Sequence, residues 1–169
     1  MTKLKFKRLD ERAVIPTYAH KGDIGMDVTA IDVTYDVNTD TYIYRTGLAC
    51  EMEPGYALFC LPRSSNTKTE AYIPNSPGLV DPATYRGEIQ FRFKNRDGLK
   101  TNWIEDLFRD RINIVHDEIE SYALSKAPYQ VGDRIGQFVV VKVPQIEIEE
   151  VDTLSETERG TGGFGSTGK

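Results

Sequence analysis

Ile89-Gln90-Phe91-Arg92-Phe93-Lys94 sets the period of this chain at two, with apolar and polar side chains in strict alternation. In an extended strand successive side chains point to opposite faces, so the pattern puts one face on a core and the other in water. The same rhythm runs through Ile31, Val33, Tyr35 and Val37, with Asp32, Thr34 and Asp36 between them. Leu4 and Phe6 alternate with lysines, and Ile146 and Ile148 alternate with Glu147 and Glu149. Turn signals separate these runs: Lys21-Gly22-Asp23, Glu53-Pro54-Gly55, Ser76-Pro77-Gly78 and Val131-Gly132-Asp133. Many short strands with regular turns predict an all-β sandwich, barrel or jelly roll. Phe138 to Val143 is apolar on both faces, which predicts a central strand or one buried at a subunit contact.

One stretch breaks the rhythm. From Asn102 to Lys126, Trp103, Leu107 and Arg111 fall at helical spacing, as do Ile104, Phe108 and Ile112, with Asn102 as N-cap. Asp117 to Leu124 extends this helix or forms another. The reading is a helical insertion, residues 102–126, in a β-protein. Trp103, Phe108 and Tyr122 are its anchors or, if exposed, a binding face. No repeat or linker divides the rest, so residues 1–158 read as one domain, followed by a Gly-rich tail over 159–169.

Composition bounds the function. The chain has 169 residues, 39% hydrophobic and 28% charged, which suits a single globular domain. Its net charge of -5 argues against general nucleic-acid binding, which needs clustered Lys and Arg. Met1 to Arg8 carries no apolar signal region, and no run is long enough to span a membrane, so a cytoplasmic location is expected. Cys50 and Cys60 fit no metal spacing and read as two buried thiols in a reducing compartment. His20 and His116 are too few for a histidine-based zinc site.

Five polar clusters interrupt the strands. Gly22-Asp23-Ile24-Gly25-Met26-Asp27 is either an acidic turn opening a strand or a carboxylate holding metal-bound water. Pro62-Arg63-Ser64-Ser65 is either a turn with a surface arginine or an anion site with one cation and two hydroxyls. Asn75-Ser76-Pro77-Gly78-Leu79-Val80-Asp81, continuing to Tyr85-Arg86-Gly87-Glu88-Ile89, crowds many polar types together. The Asn75 amide pairs a donor with an acceptor, as a nucleobase edge does, and Asp81 suits a general base. Gly132-Asp133-Arg134-Ile135-Gly136-Gln137 is either a turn with a surface Asp133–Arg134 pair or a mount for the Gln137 amide. In the tail, Arg159-Gly160-Thr161-Gly162-Gly163-Phe164-Gly165-Ser166, one cation and one ring stand among glycines. This is either a disordered terminus or an arm that closes over a phosphorylated, ring-bearing ligand. Gly163 to Lys169 imitates a P-loop, but the hydroxyl residue and helix that a P-loop needs do not follow.

In this order the clusters resemble the five motifs of the trimeric dUTPase family. The likeness covers nearly the whole chain outside residues 102–126, and the tail and the Gly78-to-Ile89 segment are its most specific parts. It implies a β jelly roll (a β-clip barrel) assembled as a homotrimer, with active sites shared between subunits. It implies hydrolysis of dUTP to dUMP and pyrophosphate, with Asp81 activating the water that attacks the α-phosphorus. Asn75 and the backbone of Gly78 to Val80 match the segment that reads uracil, and Tyr85 matches the tyrosine against deoxyribose. Arg63, Ser64, Ser65 and Gln137 match phosphate contacts. Asp27 matches the aspartate that holds water on a Mg²⁺ bound to the triphosphate. Arg159 and Phe164 look like the residues that meet the γ-phosphate and stack on the base, with Gly165 and Ser166 adding phosphate contacts. Residues 159–169 would then be a mobile lid.

Several positions depart from the family pattern. The family usually spaces its aspartate and tyrosine as Asp-x-x-Tyr, whereas Asp81 and Tyr85 are four apart. In a plain strand that extra residue sends the tyrosine to the other face, so a bulge or turn must absorb it. Ser65 replaces a glycine, and Ile24 and Gly136 each replace an alanine. Two further readings share the resemblance. One is a dCTP deaminase-like enzyme of the same fold, whose relatives also carry Arg-Ser-Ser. The other is a nucleotide-switched regulator that binds a protein partner through the insertion, as phage members with longer inserts do. In that case the location is a host cytoplasm.

Overall fold

The alternation of the opening stretch is realised in the strand Gln90–Asn95, where Phe91 and Phe93 are buried and Arg92 between them is exposed. The structure is a computed structural model and describes residues 2–96 and 112–162. In chain order the strands are β1 (Lys5–Arg8), β2 (Met26–Thr29), β3 (Asp32–Asp36), β4 (Thr41–Arg45), β5 (Leu48–Glu51) and β6 (Tyr56–Leu61). They continue as β7 (Ala71–Tyr72), β8 (Gly78–Val80), β9 (Gln90–Asn95) and β10 (Arg134–Lys142). A 3₁₀ turn, Ser64–Lys68, follows β6, and the helix α1, Ile112–Ser125, precedes β10.

Two four-stranded antiparallel sheets, ordered β2-β10-β6-β8 and β3-β4-β9-β7, make up the body, and β1 pairs with β5. This is the all-β jelly-roll class the sequence predicts. The core joins the sheets through rings: Phe138 of β10 stacks on Phe91 of β9 with centroids 5.9 Å apart, and on Phe6 of β1 at 6.0 Å. Tyr44 of β4 meets Phe93 edge-on at 5.6 Å. Each such pair adds roughly 0.5–1.5 kcal/mol beyond simple burial.

β10 is central, as its two-faced apolar composition predicts. Phe138 is in register with Met26 of β2 on one side and Cys60 of β6 on the other. Its outer row is less covered: Val141 is exposed and Val139 half-buried.

The Ile146–Ile148 alternation corrects one expectation. Residues 143–150 form no strand in this chain, and Ile146 and Ile148 are 77% and 93% exposed. The pattern specifies a face to bury, but both edges of β10 are already paired and, among the described residues, no strand of the same chain receives the segment.

α1 packs against β3, with Ile119 and Ala123 buried in the core, so the described part of the insertion decorates the sheets. Asn102, Trp103 and Phe108, the predicted cap and two of the anchors, lie outside the described residues. After α1, Pro128 prevents continuation and Tyr129 fastens the chain. Tyr44 Oη donates to Tyr129 O at 2.9 Å and accepts from Tyr129 N at 3.1 Å. Tyr129 Oη donates to Asn66 Oδ1 at 2.9 Å, tying the helix exit to the 3₁₀ turn behind Arg63.

The glycine at 136 has a packing reason. A Cβ there would lie 2.1 Å from Phe91 Cε1, so the Phe91 ring fills the space that a methyl group would need. Gly136→Ala is therefore expected to cost roughly 1–3 kcal/mol through overpacking. The loss is read as a lower urea midpoint, and adding Phe91→Leu recovers part of it. An unchanged midpoint in Gly136→Ala contradicts the packing argument.

Candidate active site

Asn75 lies ahead of β8, Asp81 directly after it and Tyr85 one turn later. With Gly78 and Val80 they line one cavity of about 320 Å³, whose wall includes the buried Phe91. β8 approaches β6 closely: a Cβ on Gly78 would lie 3.1 Å from Cys60 Cβ. Burial pushes the Cys60 thiol up to about 12, so this cavity residue stays protonated and inert at neutral pH. Cys50 is also a free, buried thiol, as expected.

A turn absorbs the long Asp81–Tyr85 spacing. The Asp81 carbonyl accepts from Thr84 N at 3.1 Å and from Tyr85 N at 2.8 Å, so the added residue is coiled rather than extended. Tyr85 Oη donates to the Glu88 carbonyl at 3.2 Å, and the ring covers Gly87, where a Cβ would meet Tyr85 Oη at 2.3 Å. The Glu88 carboxylate accepts from Gly47 N at 2.7 Å and Arg45 Nε at 3.0 Å, fixing the chain beyond the tyrosine. Asp81 itself is exposed, and its carboxylate accepts no hydrogen bond from the described residues.

The second cluster is built on Asp27 of β2. Its carboxylate accepts from Arg63 Nε at 3.1 Å, Arg134 Nη1 at 2.8 Å and Gln137 Nε2 at 3.2 Å. Burial opposes its ionisation, but the Gln137 hydrogen bond and the charges of Arg63 and Arg134 outweigh that, so its pKa falls below the ordinary 3.8. Gly25 makes room for this contact: a Cβ there would come within 2.8 Å of Gln137 Oε1 and push the amide away. Ser65 lies 3.5 Å from Arg63 Nη1, and Ser64 is exposed at the start of the 3₁₀ turn.

Sequence reasoning paired Arg134 with Asp133 and missed its role. Asp133 instead accepts from Gln130 N within the turn, at 2.7 Å. Arg134 and Gln137 are three apart and would face opposite ways in a regular strand. The register of β10 against β2 slips between Arg134 and Gly136, and this bulge brings both side chains onto Asp27. The Arg-to-Gln spacing next to a glycine was the available signal.

The donor set limits how a metal can sit here. A carboxylate offers about four acceptor positions. Three donors occupy Asp27, two of them cationic, so direct ligation does not fit, whereas accepting from a water of a hydrated metal does. No group of three or more His, Cys, Asp or Glu side chains comes together among the described residues.

The described start of the tail, residues 159–162, is held by local hydrogen bonds. Arg159 is exposed and its Nε donates to Gly162 O at 2.8 Å within its own turn. Phe164, Gly165 and Ser166 lie outside the described residues.

A sequence profile described as dUTPase matches residues 11–103 and 109–168. A deoxyuridine 5'-triphosphate nucleotidohydrolase of Trichodesmium erythraeum is 36% identical, covering 98% of this chain and 99% of its own. The chain belongs to the dUTPase family. The fold agrees with solved dUTPases. A mutant of the Staphylococcus bacteriophage 80alpha enzyme with dUpNHpp superposes at a TM-score of 0.70 and 22% identity, covering 99% of each chain. A mutant dUTPase from phage phi11 of S. aureus, described with a structural Mg(II) ion, gives 0.62 at 19% identity, covering 91% of this chain and 99% of its own. No described helix is long and apolar enough to cross a membrane.

The depressed Asp27 pKa links stability to pH. Its ionised form is favoured by folding, so its contribution is full above 3.8 and is lost as pH falls through the lower folded value. Asp27→Asn is expected to lower Tm by roughly 4–8 °C at pH 7, the scale of one charged hydrogen-bond set. The gap should close as both proteins are melted at successively lower pH below 3.8. A gap independent of pH contradicts the linkage.

Proposed function

We propose that this chain hydrolyses dUTP to dUMP and pyrophosphate. The observation that carries the reading is the single cavity lined by Asn75, Gly78, Val80, Asp81 and Tyr85. The Asn75 amide and the backbone of Gly78 to Val80 read the uracil edge; cytosine, with a different donor and acceptor pattern, would leave these partners unpaired. The Tyr85 ring packs against deoxyribose and excludes a 2'-hydroxyl. Arg63, Ser64, Ser65 and Gln137 receive the phosphates, with Asp27 orienting Arg63 and Gln137. Asp81, with no hydrogen-bond partner for its carboxylate among the described residues, takes a proton from the water whose oxygen attacks the α-phosphorus. The bond from that phosphorus to the bridging oxygen breaks, and pyrophosphate leaves with the electron pair.

Asp27 would accept from a water of a Mg²⁺ bound to the triphosphate, and that metal would supply charge neutralisation for the phosphates and the leaving group. Arg159 and Phe164 close over the γ-phosphate and the base, with Gly165 and Ser166 approaching the phosphates. The active unit is a homotrimer. Supporting this are the open outer row of β10 and the exposed apolar arm with Ile146, Ile148 and Leu154, the last 86% exposed. These surfaces suit burial on neighbouring copies.

The purified chain should release pyrophosphate from dUTP in a Mg²⁺-dependent manner, with little turnover of UTP or dCTP and no conversion of cytosine to uracil. Asp81→Asn should bind dUTP yet lower kcat by about 10²–10⁴-fold, the usual worth of a positioned base. Wild-type turnover by that variant removes Asp81 from the role.

Light scattering should give three times the 19.1 kDa chain mass. The double change Ile146→Asp with Ile148→Asp should shift the species toward smaller mass. A wild-type chain of monomeric mass contradicts the shared-site reading.

A further inference from the structure

The turn from Asp81 to Tyr85 is closed from outside by one side chain. Arg86 Nη1 donates to the carbonyls of Pro82 at 3.0 Å and Tyr85 at 2.9 Å, and Nη2 donates to the carbonyl of Ala83 at 3.0 Å. One planar guanidinium therefore spans three of the carbonyls the turn directs outward, a geometry that its fixed fork of donors suits. The Pro82 carbonyl also accepts from Met52 N at 3.0 Å, and the Pro82 ring is fully buried, so the first half of the turn is anchored to the body. The second half, Ala83 to Tyr85, has Arg86 as its brace. On its far side Arg86 Nη2 lies 3.6 Å from Glu51 Oε2, both side chains about half-exposed.

We infer that Arg86 is a positioning residue that sets the placement of Asp81 relative to Tyr85. The inference rests on the proposed roles of Asp81 and Tyr85. The physical need comes from the chain itself. The residue beyond the family's usual spacing lengthens the turn, and a longer turn samples more conformations unless its carbonyls are fixed. Asp81 and Tyr85 stand at the two ends of that turn and face one cavity. A displacement of the tyrosine end therefore changes the ribose wall, and a displacement of the aspartate end changes the line of the attacking water. Misplacements of this kind act on kcat strongly and on global stability weakly. Arg86 is 49% exposed, so its removal opens no core cavity.

The test compares wild type with Arg86→Ala, Arg86→Lys, Glu51→Gln and Asp81→Asn. Four quantities are read: kcat for dUTP, KM for dUTP, the ratio of kcat/KM for dUTP over UTP, and Tm. Arg86→Ala is expected to lower kcat by about 10–100-fold with a smaller change in KM, and to narrow the dUTP/UTP ratio. Its Tm should stay within about 4 °C of wild type, as befits an exposed side chain. Arg86→Lys should recover part of both losses, because one ammonium reaches some but not all of the carbonyls. Glu51→Gln should leave kcat and the ratio near wild type, since the carbonyl bonds remain.

The inference is overturned if Arg86→Ala keeps wild-type kcat and selectivity. It is equally overturned if Glu51→Gln reproduces the Arg86→Ala losses, which would assign them to the ion pair. Undiminished turnover in Asp81→Asn would instead remove the proposed base, and Arg86 would then be judged on the dUTP/UTP ratio, which reports on Tyr85 alone. An unchanged ratio in Arg86→Ala under that outcome overturns the inference as well.

Discussion

The carboxylate of Asp27 is the contact on which the order of the Arg63, Arg134 and Gln137 side chains depends. It gathers donors from the end of β6 (Arg63) and from both halves of the β10 bulge (Arg134 and Gln137). Without it two guanidiniums would stand side by side with no counter-charge, and neither would have a fixed direction. Strand pairing alone cannot supply this order. It brings β2, β10 and β6 together but leaves side chains beyond the strand ends free to rotate. The carboxylate converts that sheet order into an order of charged groups, and Gly25 keeps the space that the Gln137 amide requires beside it.

The base side of the site follows a different logic. There the side chains are not locked together; the backbone is. Asp81 and Tyr85 are exposed, and what positions them is a coiled turn whose carbonyls are satisfied from within by Thr84 and Tyr85 and from outside by Met52 and Arg86. Among the described residues the Asp81 carboxylate has no hydrogen-bond partner, which keeps it available to water. Fixing its backbone keeps that availability directed. The two halves of the site thus differ: one carboxylate is engaged by three donors and holds them in place, and the other is itself placed by its backbone.

Much of this was legible in the sequence. Period-two alternation identified β1, β3 and β9, and the two-faced apolar run identified β10 as central. Residue types in order identified both clusters, since cavity chemistry requires an amide, a carboxylate and a ring close together. Three features were not legible, each for a physical reason. The Ile146–Ile148 alternation states which face to bury and not where the partner strand lies, so it read as a strand that this chain does not form. The role of Arg134 depends on a register slip, and a linear reading assigns Arg134 and Gln137 to opposite faces. The brace by Arg86 depends on carbonyl directions, which no side-chain pattern encodes.

The charge balance of the whole chain now has a local explanation. A net charge of -5 sits poorly with a polyanionic substrate until the groups are counted where they stand. Arg63 and Arg134 share one carboxylate, so the cluster presents about one positive charge rather than two. A site with more fixed cations would hold the ground-state triphosphate and the departing pyrophosphate as firmly as the transition state, and uniform binding of that kind does not raise kcat. Under the proposed mechanism, a sparsely charged site would leave neutralisation to a metal that arrives with the phosphates and to the tail arginine that closes over them. Such contributions would be largest when the bond is breaking and would not hold the product. On that reading the acidic balance of the protein is compatible with a polyanionic substrate, because the Asp27 carboxylate offsets one of its two arginines and the remaining charge is supplied at the moment of reaction.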